Sequence, residues 1–205
     1  MKYYKIYNNT ITICLFIFSI QIGYSQTNEL GLFVGGTLFH GDVGYQNSEN
    51  AILESQPTVG IEFKRNFNYY FGLNLSIKSG KIQSNDLESN DFYINTRNLK
   101  FKSRITEFAL LLEFNFRPYS SRDSDYNFSP FIFSGVSKYY YNPQNQSNNG
   151  LWYNLRPLST EGQGSDFYPA RDLYQLSGIS IPFGIGYKAN IFNYITLALS
   201  VGWRI

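Results

Sequence analysis

The chain carries few side chains from which an active site could be built. Its one histidine, His40, precedes a Gly-Asp pair, and Ser48 and Glu49 follow a few residues later. A histidine, a hydroxyl and an acid are the parts of a nucleophilic triad, and small barrels that modify lipid hold such a set at their outer rim. The chemistry needs a base oriented by one partner and within reach of another. Here all three lie in a turn-forming stretch, so no catalytic residue is assigned. Gly162 and Gly164, in Glu-Gly-Gln-Gly, have the composition of a phosphate cradle, but no strand precedes them and no helix follows, as that cradle requires. An ordered loop turn is the expectation there. One histidine and one cysteine, Cys14, do not make a zinc set, and neither a metal nor a cofactor is expected.

The remaining charges fall into a pattern. Glu62, Lys64, Lys78, Glu107, Glu113, Lys188 and Arg204 each occupy the polar face of a segment whose other face is apolar. Alternation with a period of two marks half-buried strands. Leu30, Leu32 and Val34 oppose Gly31, Phe33 and Gly35; Val59, Ile61 and Phe63 oppose Gly60, Glu62 and Lys64. Phe71 to Ile77 alternate with Gly72 to Lys78, and Phe108 to Phe116 with Glu107 to Asn115. The stretch 131–141 is less regular and its inner face is not readable. Ile179, Ile181, Phe183, Ile185 and Tyr187 oppose Ser180, Pro182, Gly184, Gly186 and Lys188. Ile195 to Trp203 oppose Thr196 to Arg204. Seven strands are legible, several long enough for the about 9–11 residues that a tilted strand needs to cross a bilayer.

A soluble sandwich turns the apolar faces inward, whereas a barrel in lipid turns them outward and keeps the polar faces in its lumen. Alternation alone does not separate the two; the N-terminus and the composition do. Lys2 and Lys5 precede an apolar stretch, 11–22, shorter than the about 20 residues of a helical span, with small residues at Gly23 and Ser25. This reads as a secretory signal peptide over residues 1–25, cleaved between Ser25 and Gln26, with the barrel domain over 26–205. The leader takes two lysines, no acid and the only cysteine, so of 17 basic and 15 acidic residues the mature chain keeps 15 of each. A disulfide scaffold is excluded, and no basic stripe for nucleic acid remains. Aromatic residues make up 19% of the chain, which suits ring girdles at two water–lipid boundaries.

Connections alternate in length: long over 41–56, 83–100 and 142–172, shorter over 65–69, 118–128 and 189–193. Outer-membrane barrels have short periplasmic turns and long external loops. The expected fold is therefore all-β, a small antiparallel outer-membrane barrel of about eight strands with a periplasmic N-terminus. The missing strand is expected either beyond Ile205 or inside 87–101 or 142–172. Phe67, Tyr69, Tyr70, Tyr119, Tyr187 and Tyr194 are expected as girdle residues at the short-turn end, and Tyr139 and Tyr141 at the other. The seven inward charges are expected to pair with one another in the lumen, because burial of an unpaired charge is costly.

Several motifs resemble the PorG family, an outer-membrane barrel component of the type IX secretion machinery of Bacteroidetes. They are Glu-Leu-Gly-Leu-Phe-Val-Gly-Gly (29–36), His-Gly-Asp-Val (40–43), Asn-Leu-Lys-Phe-Lys-Ser (98–103) and Leu-Glu-Phe-Asn-Phe-Arg-Pro-Tyr (112–119). Further matches are Ser-Pro-Phe-Ile-Phe-Ser-Gly-Val (129–136), Trp-Tyr-Asn-Leu-Arg-Pro-Leu-Ser-Thr-Glu-Gly-Gln-Gly (152–164) and Ile-Pro-Phe-Gly-Ile-Gly (181–186). Family members continue past the Gly-Trp-Arg at 202–204 with another loop and strand, so the resemblance implies a C-terminal truncation here. It also implies a non-enzymatic anchor that docks the periplasmic ring proteins, including the machinery's lipoprotein, to the outer membrane. If the short turns face the periplasm, Arg65, Asn66, Asn68, Arg122, Asp123 and Asp125 are the candidate contacts, with the 118–128 turn preferred. The alternative is a stand-alone barrel, either a lipid-A-modifying enzyme dependent on His40 or an adhesin using loop 142–172.

Overall fold

A computed structural model describes residues 27–39, 43, 55–88, 91–147, 150–159, 172–192 and 195–205. The leader with Ser25 and Gln26, the His40, Ser48 and Glu49 set, Tyr194, and Gly162 and Gly164 lie outside the described residues. Nine strands form one sheet: β1 (Thr27–Thr37), β2 (Gln56–Asn66), β3 (Phe71–Asn85), β4 (Lys100–Asn115), β5 (Phe128–Gln146), β6 (Trp152–Asn154), β7 (Ser177–Ser180), β8 (Pro182–Phe192) and β9 (Ile195–Arg204). Every pairing is antiparallel, the path runs β1-β2-β3-β4-β5-β8-β9, and the sheet curls into a half-barrel. The fold is all-β.

The alternation read from the sequence sets which side of the sheet each residue faces. The apolar positions stand on the convex side in the open: Leu30, Leu32 and Val34 on β1, Ile185 on β8 and Leu199 on β9 are all more than half exposed. The concave side holds the buried residues, and most of these are polar: Lys64, Asn74, Ser76, Glu107, Glu113, Asn115, Ser129, Ser137 and Lys188. One hydrogen-bonded row shows the consistency. Thr27, Asn66, Gly72, Glu113, Phe133, Gly184 and Gly202 stand side by side across the sheet and all face the concave side. This is the inverse of a water-soluble β-protein, whose enclosed face is apolar.

β7 and β8 form one strand in two pieces, both paired to β5 and joined through Ile181, whose N–H and C=O bond to Ile205. The alternation continues through the join. The sheet path therefore contains seven strand positions, as counted from the sequence, and β1 and β9 end it. The stretches named as hiding places for an eighth strand hold other structure among the described residues. Residues 86–88 make a single 3-10 turn and Phe92–Arg97 a helix, α1, while β6 is a three-residue hairpin arm against the far end of β5.

β3, β4 and β5 are longer than the sequence pattern indicated, at 15, 16 and 19 residues, because pairing continues past the apolar belt into polar residues. The side of β5 left open by the sequence is resolved: Phe131, Phe133, Tyr139 and Tyr141 face the concave side, and Ile132, Val136, Lys138 and Tyr140 the convex. Tyr139 and Tyr141 are thus not girdle residues, which corrects the expectation. Glycines accommodate the inward rings. A Cβ on Gly202 would come within 2.8 Å of the Phe133 ring, and one on Gly178 within 2.5 Å of the Tyr139 hydroxyl.

Candidate functional site

All seven charges selected on the sequence stand on the concave face, and they form two clusters. Toward the short turns, Glu113 receives Lys64 at 2.8 Å and Lys188 at 3.1 Å, with the Asn74 amide donating at 3.2 Å. Both lysines are packed on aromatic rings: the Lys188 ammonium lies 4.6 Å from the Tyr119 centroid and 5.1 Å from that of Phe131, and Lys64 lies 5.6 Å from Phe131. Such ring contacts stabilise a partly desolvated cation. Toward the long loops, Arg204 on β9 donates through Nε and Nη2 to both oxygens of Glu107 at 2.9 Å, reaching across β8 and β5 to β4. Lys78 pairs with Glu62 at 2.8 Å and lies 4.0 Å over the Phe33 ring.

An eighth member was missed in the sequence. Glu29 accepts from the Asn66 amide at 2.6 Å on the same face. It precedes Leu30, the first apolar residue of its segment, and so fell outside the alternating pattern. The set is then four carboxylates, Glu29, Glu62, Glu107 and Glu113, and four cations, Lys64, Lys78, Lys188 and Arg204. The numbers are equal, and Glu62, Glu107 and Glu113 are each in direct contact with a cation, as burial of charge requires. Among the described residues no group of three or more His, Cys, Asp or Glu could hold a metal. The face is packed with paired charges, Leu111, Phe131 and Phe133, and its geometry supports the fold.

The short-turn end is built differently from the expectation. Residues 116–127 fold back over the end of the sheet. The Tyr119 N–H donates to the Tyr69 carbonyl at 3.0 Å, and its hydroxyl shares a hydrogen bond with Thr196 on β9. Asn115 donates to the Tyr69 carbonyl and Asn190 to that of Ser121, at 3.0 and 2.8 Å. One segment therefore ties together the β2–β3 turn, β8 and β9 as a floor. Tyr119, Ser120 and Ser121 are buried in it, so Tyr119 belongs to the floor and not to a girdle. Burial, with the Glu29 charge adding to it, pushes the Tyr119 phenol well above its ordinary pKa and keeps it protonated.

The candidate contact residues divide accordingly. Arg122 and Asp125 are exposed on the outside of the floor. Asp123 is half-buried and caps the 3-10 turn Ser124–Tyr126 by accepting from the Asp125 N–H at 3.0 Å. Asn68 is exposed, and its oxygen holds the β2–β3 turn by accepting from the N–H groups of Tyr70 and Phe71 at 2.8 Å. Arg65 is exposed on the convex side. Asn66 is not at the surface of the turn: it is 3% exposed, with its amide committed to Thr27 and Glu29, because β2 continues through it and directs it inward.

At the opposite end α1 starts at Asp91, which caps the Tyr93 and Ile94 N–H groups, and stops at Asn98 in the left-handed region. Arg97 clamps buried Asp86 through Nε at 2.7 Å and Nη2 at 3.0 Å.

No curated protein and no solved structure matches the chain. A family model described as a domain of unknown function, DUF6089, matches residues 8–155, a range that runs through β6 and stops before β7. The chain belongs to the DUF6089 family.

Proposed function

We propose that the protein is an outer-membrane β-barrel anchor that docks a periplasmic ring of the type IX protein secretion machinery, as the resemblance to the PorG family implies. The observation that carries the reading is the inverted sheet: apolar side chains on the convex side and a packed, charge-paired concave side. That inversion is favourable in lipid and unfavourable in water. On β3 and β4 the apolar belt runs from Phe71 and Phe114 to Ile77 and Phe108, about 20 Å of strand, which is close to the scale of the apolar band on outer-membrane barrels.

A small barrel filled by side chains is not a conduit for protein cargo. Its contribution to export is then positional. The floor of residues 116–127 supplies a rigid platform facing the periplasm, with Arg122 and Asp125 on its outer side. Deleting the gene is expected to abolish export of cargo while leaving the lipid A pattern of the membrane unaltered. Photo-crosslinkers at 122 and 125 are expected to capture ring proteins, including the lipoprotein. Unchanged export in the deletion strain would refute the anchor role, and altered lipid A would favour an enzyme.

A further inference from the structure

The convex face carries cations as well as apolar residues, and apart from Arg65 at the short-turn end those on the described strands gather toward the long loops. The rows of β3, β4 and β5 can be followed from the apolar belt toward the long loops. Ile77, Phe108 and Lys138 share one row; Ser79, Thr106 and Tyr140 the next; then Lys81, Arg104 and Asn142; then Gln83, Lys102 and Gln144; then Asn85 and Lys100. Five cations thus stand on three adjoining strands at this end: Lys138 in the last row of the belt, and Lys81, Arg104, Lys102 and Lys100 beyond it. None of them belongs to an ion pair among the described residues. Lys81 and Arg104 are exposed cross-strand partners, and like charges directly opposite each other destabilise a sheet. Aromatic rings accompany the group: Trp152 lies under the Lys102 ammonium at 3.8 Å, and Tyr140 lies 5.5 Å from Lys138. The concave face, by contrast, pairs every cation it buries.

We infer that this patch binds the phosphate of an anionic lipid headgroup, with Lys81 and Arg104 as its centre. The inference rests on the proposed membrane reading, since it needs the convex belt to lie in lipid. Lys81 and Arg104 stand two rows, about 13 Å of strand, past Ile77 and Phe108. Long basic side chains at that height reach back to the boundary of the apolar layer, where lipid phosphates lie. An anion bridging the two would remove the repulsion that their register creates. A planar guanidinium beside an ammonium suits a phosphate monoester, the first giving a paired donor fork and the second a point charge. The ligand class is a phosphorylated glycolipid or phospholipid of the leaflet nearest the long loops, held from the side of the barrel and not within it.

The test uses the full chain in neutral phosphatidylcholine nanodiscs. Bisphosphorylated lipid A, lipid A with its phosphates removed, and inorganic phosphate are added separately, and bound lipid is counted by native mass spectrometry. The parent is expected to retain the phosphorylated lipid in preference to the dephosphorylated one and to be indifferent to millimolar inorganic phosphate. Lys81→Gln with Arg104→Gln is expected to weaken retention by about thirtyfold, at about one decade and a half for two interfacial cations. The charge-keeping pair Lys81→Arg with Arg104→Lys is expected to retain it. Equal retention by the parent and the Gln pair overturns the inference, and so does loss of discrimination between the two lipids. Competition by inorganic phosphate also overturns it, by showing an anion patch with no lipid preference. A chain that folds but does not enter the nanodisc refutes the membrane reading itself, a different outcome from entry without lipid retention.

Discussion

Removing the Glu113 carboxylate should cost more than removing either lysine that meets it. Glu113 is the single anion between Lys64 and Lys188, whose side chains are 10% and 0% exposed, and is itself 3% exposed. Glu113→Ala leaves two cations facing each other in a closed, ring-lined space. Breaking a buried pair by deleting one partner costs about 3–5 kcal/mol, because the charge left behind is uncompensated. Lys188→Met leaves Glu113 paired with Lys64 and keeps the stem packed against Tyr119 and Phe131, so its cost should stay below about 2 kcal/mol. The double variant Glu113→Ala with Lys188→Met should cost less than the sum of the two changes, a coupling visible in a double-mutant cycle. Urea unfolding of the refolded chain in lipid vesicles measures this, followed by Trp152 and Trp203 fluorescence and by the gel-mobility shift on heating. If Lys188→Met is as damaging as Glu113→Ala, or if Glu113→Ala costs under about 1 kcal/mol, the charges are solvated and the paired-lumen argument fails.

Several other outcomes are expected. Gly202→Leu should drive a side chain into the Phe133 ring and destabilise by about 1–3 kcal/mol in the same urea assay, with Phe133→Ala relieving part of the loss. Tyr119→Phe deletes the hydroxyl bonded to Thr196 and should cost about 1 kcal/mol, making the floor segment more open to protease. Because burial raises the Tyr119 phenol, the unfolded chain releases this proton near pH 10 while the folded chain keeps it. This part of the stability is therefore present below about pH 10 and lost as pH rises past it, and the alkaline fall in unfolding midpoint should be shallower in Tyr119→Phe than in the parent. Arg97→Ala should unclamp Asp86 and admit protease to α1 without changing the unfolding of the sheet.

The strands and their faces were legible because a two-residue period is a local property. Glu62, Lys64, Lys78, Glu107, Glu113, Lys188 and Arg204 could be placed on one face from neighbouring residues alone. Their partners could not be. Arg204 meets Glu107 across two intervening strands, and that depends on the register of every pairing between them. β5 was ambiguous because aromatic residues populate both of its sides, and rings inside a small barrel are admitted by glycines at Gly184, Gly186 and Gly202 on other strands. The floor has the sequence of an ordinary turn, since nothing in Arg-Pro-Tyr-Ser-Ser announces that Tyr119 folds under the sheet to reach Thr196. Asn66 looks like a turn residue in the sequence because a strand end is not marked there to within one or two positions. α1 left a weak signal, an Asp-Phe-Tyr start and an Asn stop inside a polar loop.

Labelling of single cysteines in intact cells tests the central claim most directly. The one cysteine of the chain, Cys14, falls in the segment read as a signal peptide, so Asp125→Cys and Tyr153→Cys report separately on the floor and on the β5–β6 hairpin. A membrane-impermeant maleimide added to whole cells should label position 153 and not position 125, and both should react once the outer membrane is opened. Labelling of position 125 in intact cells, or protection of 153, would contradict a barrel that spans the outer membrane with its short turns in the periplasm.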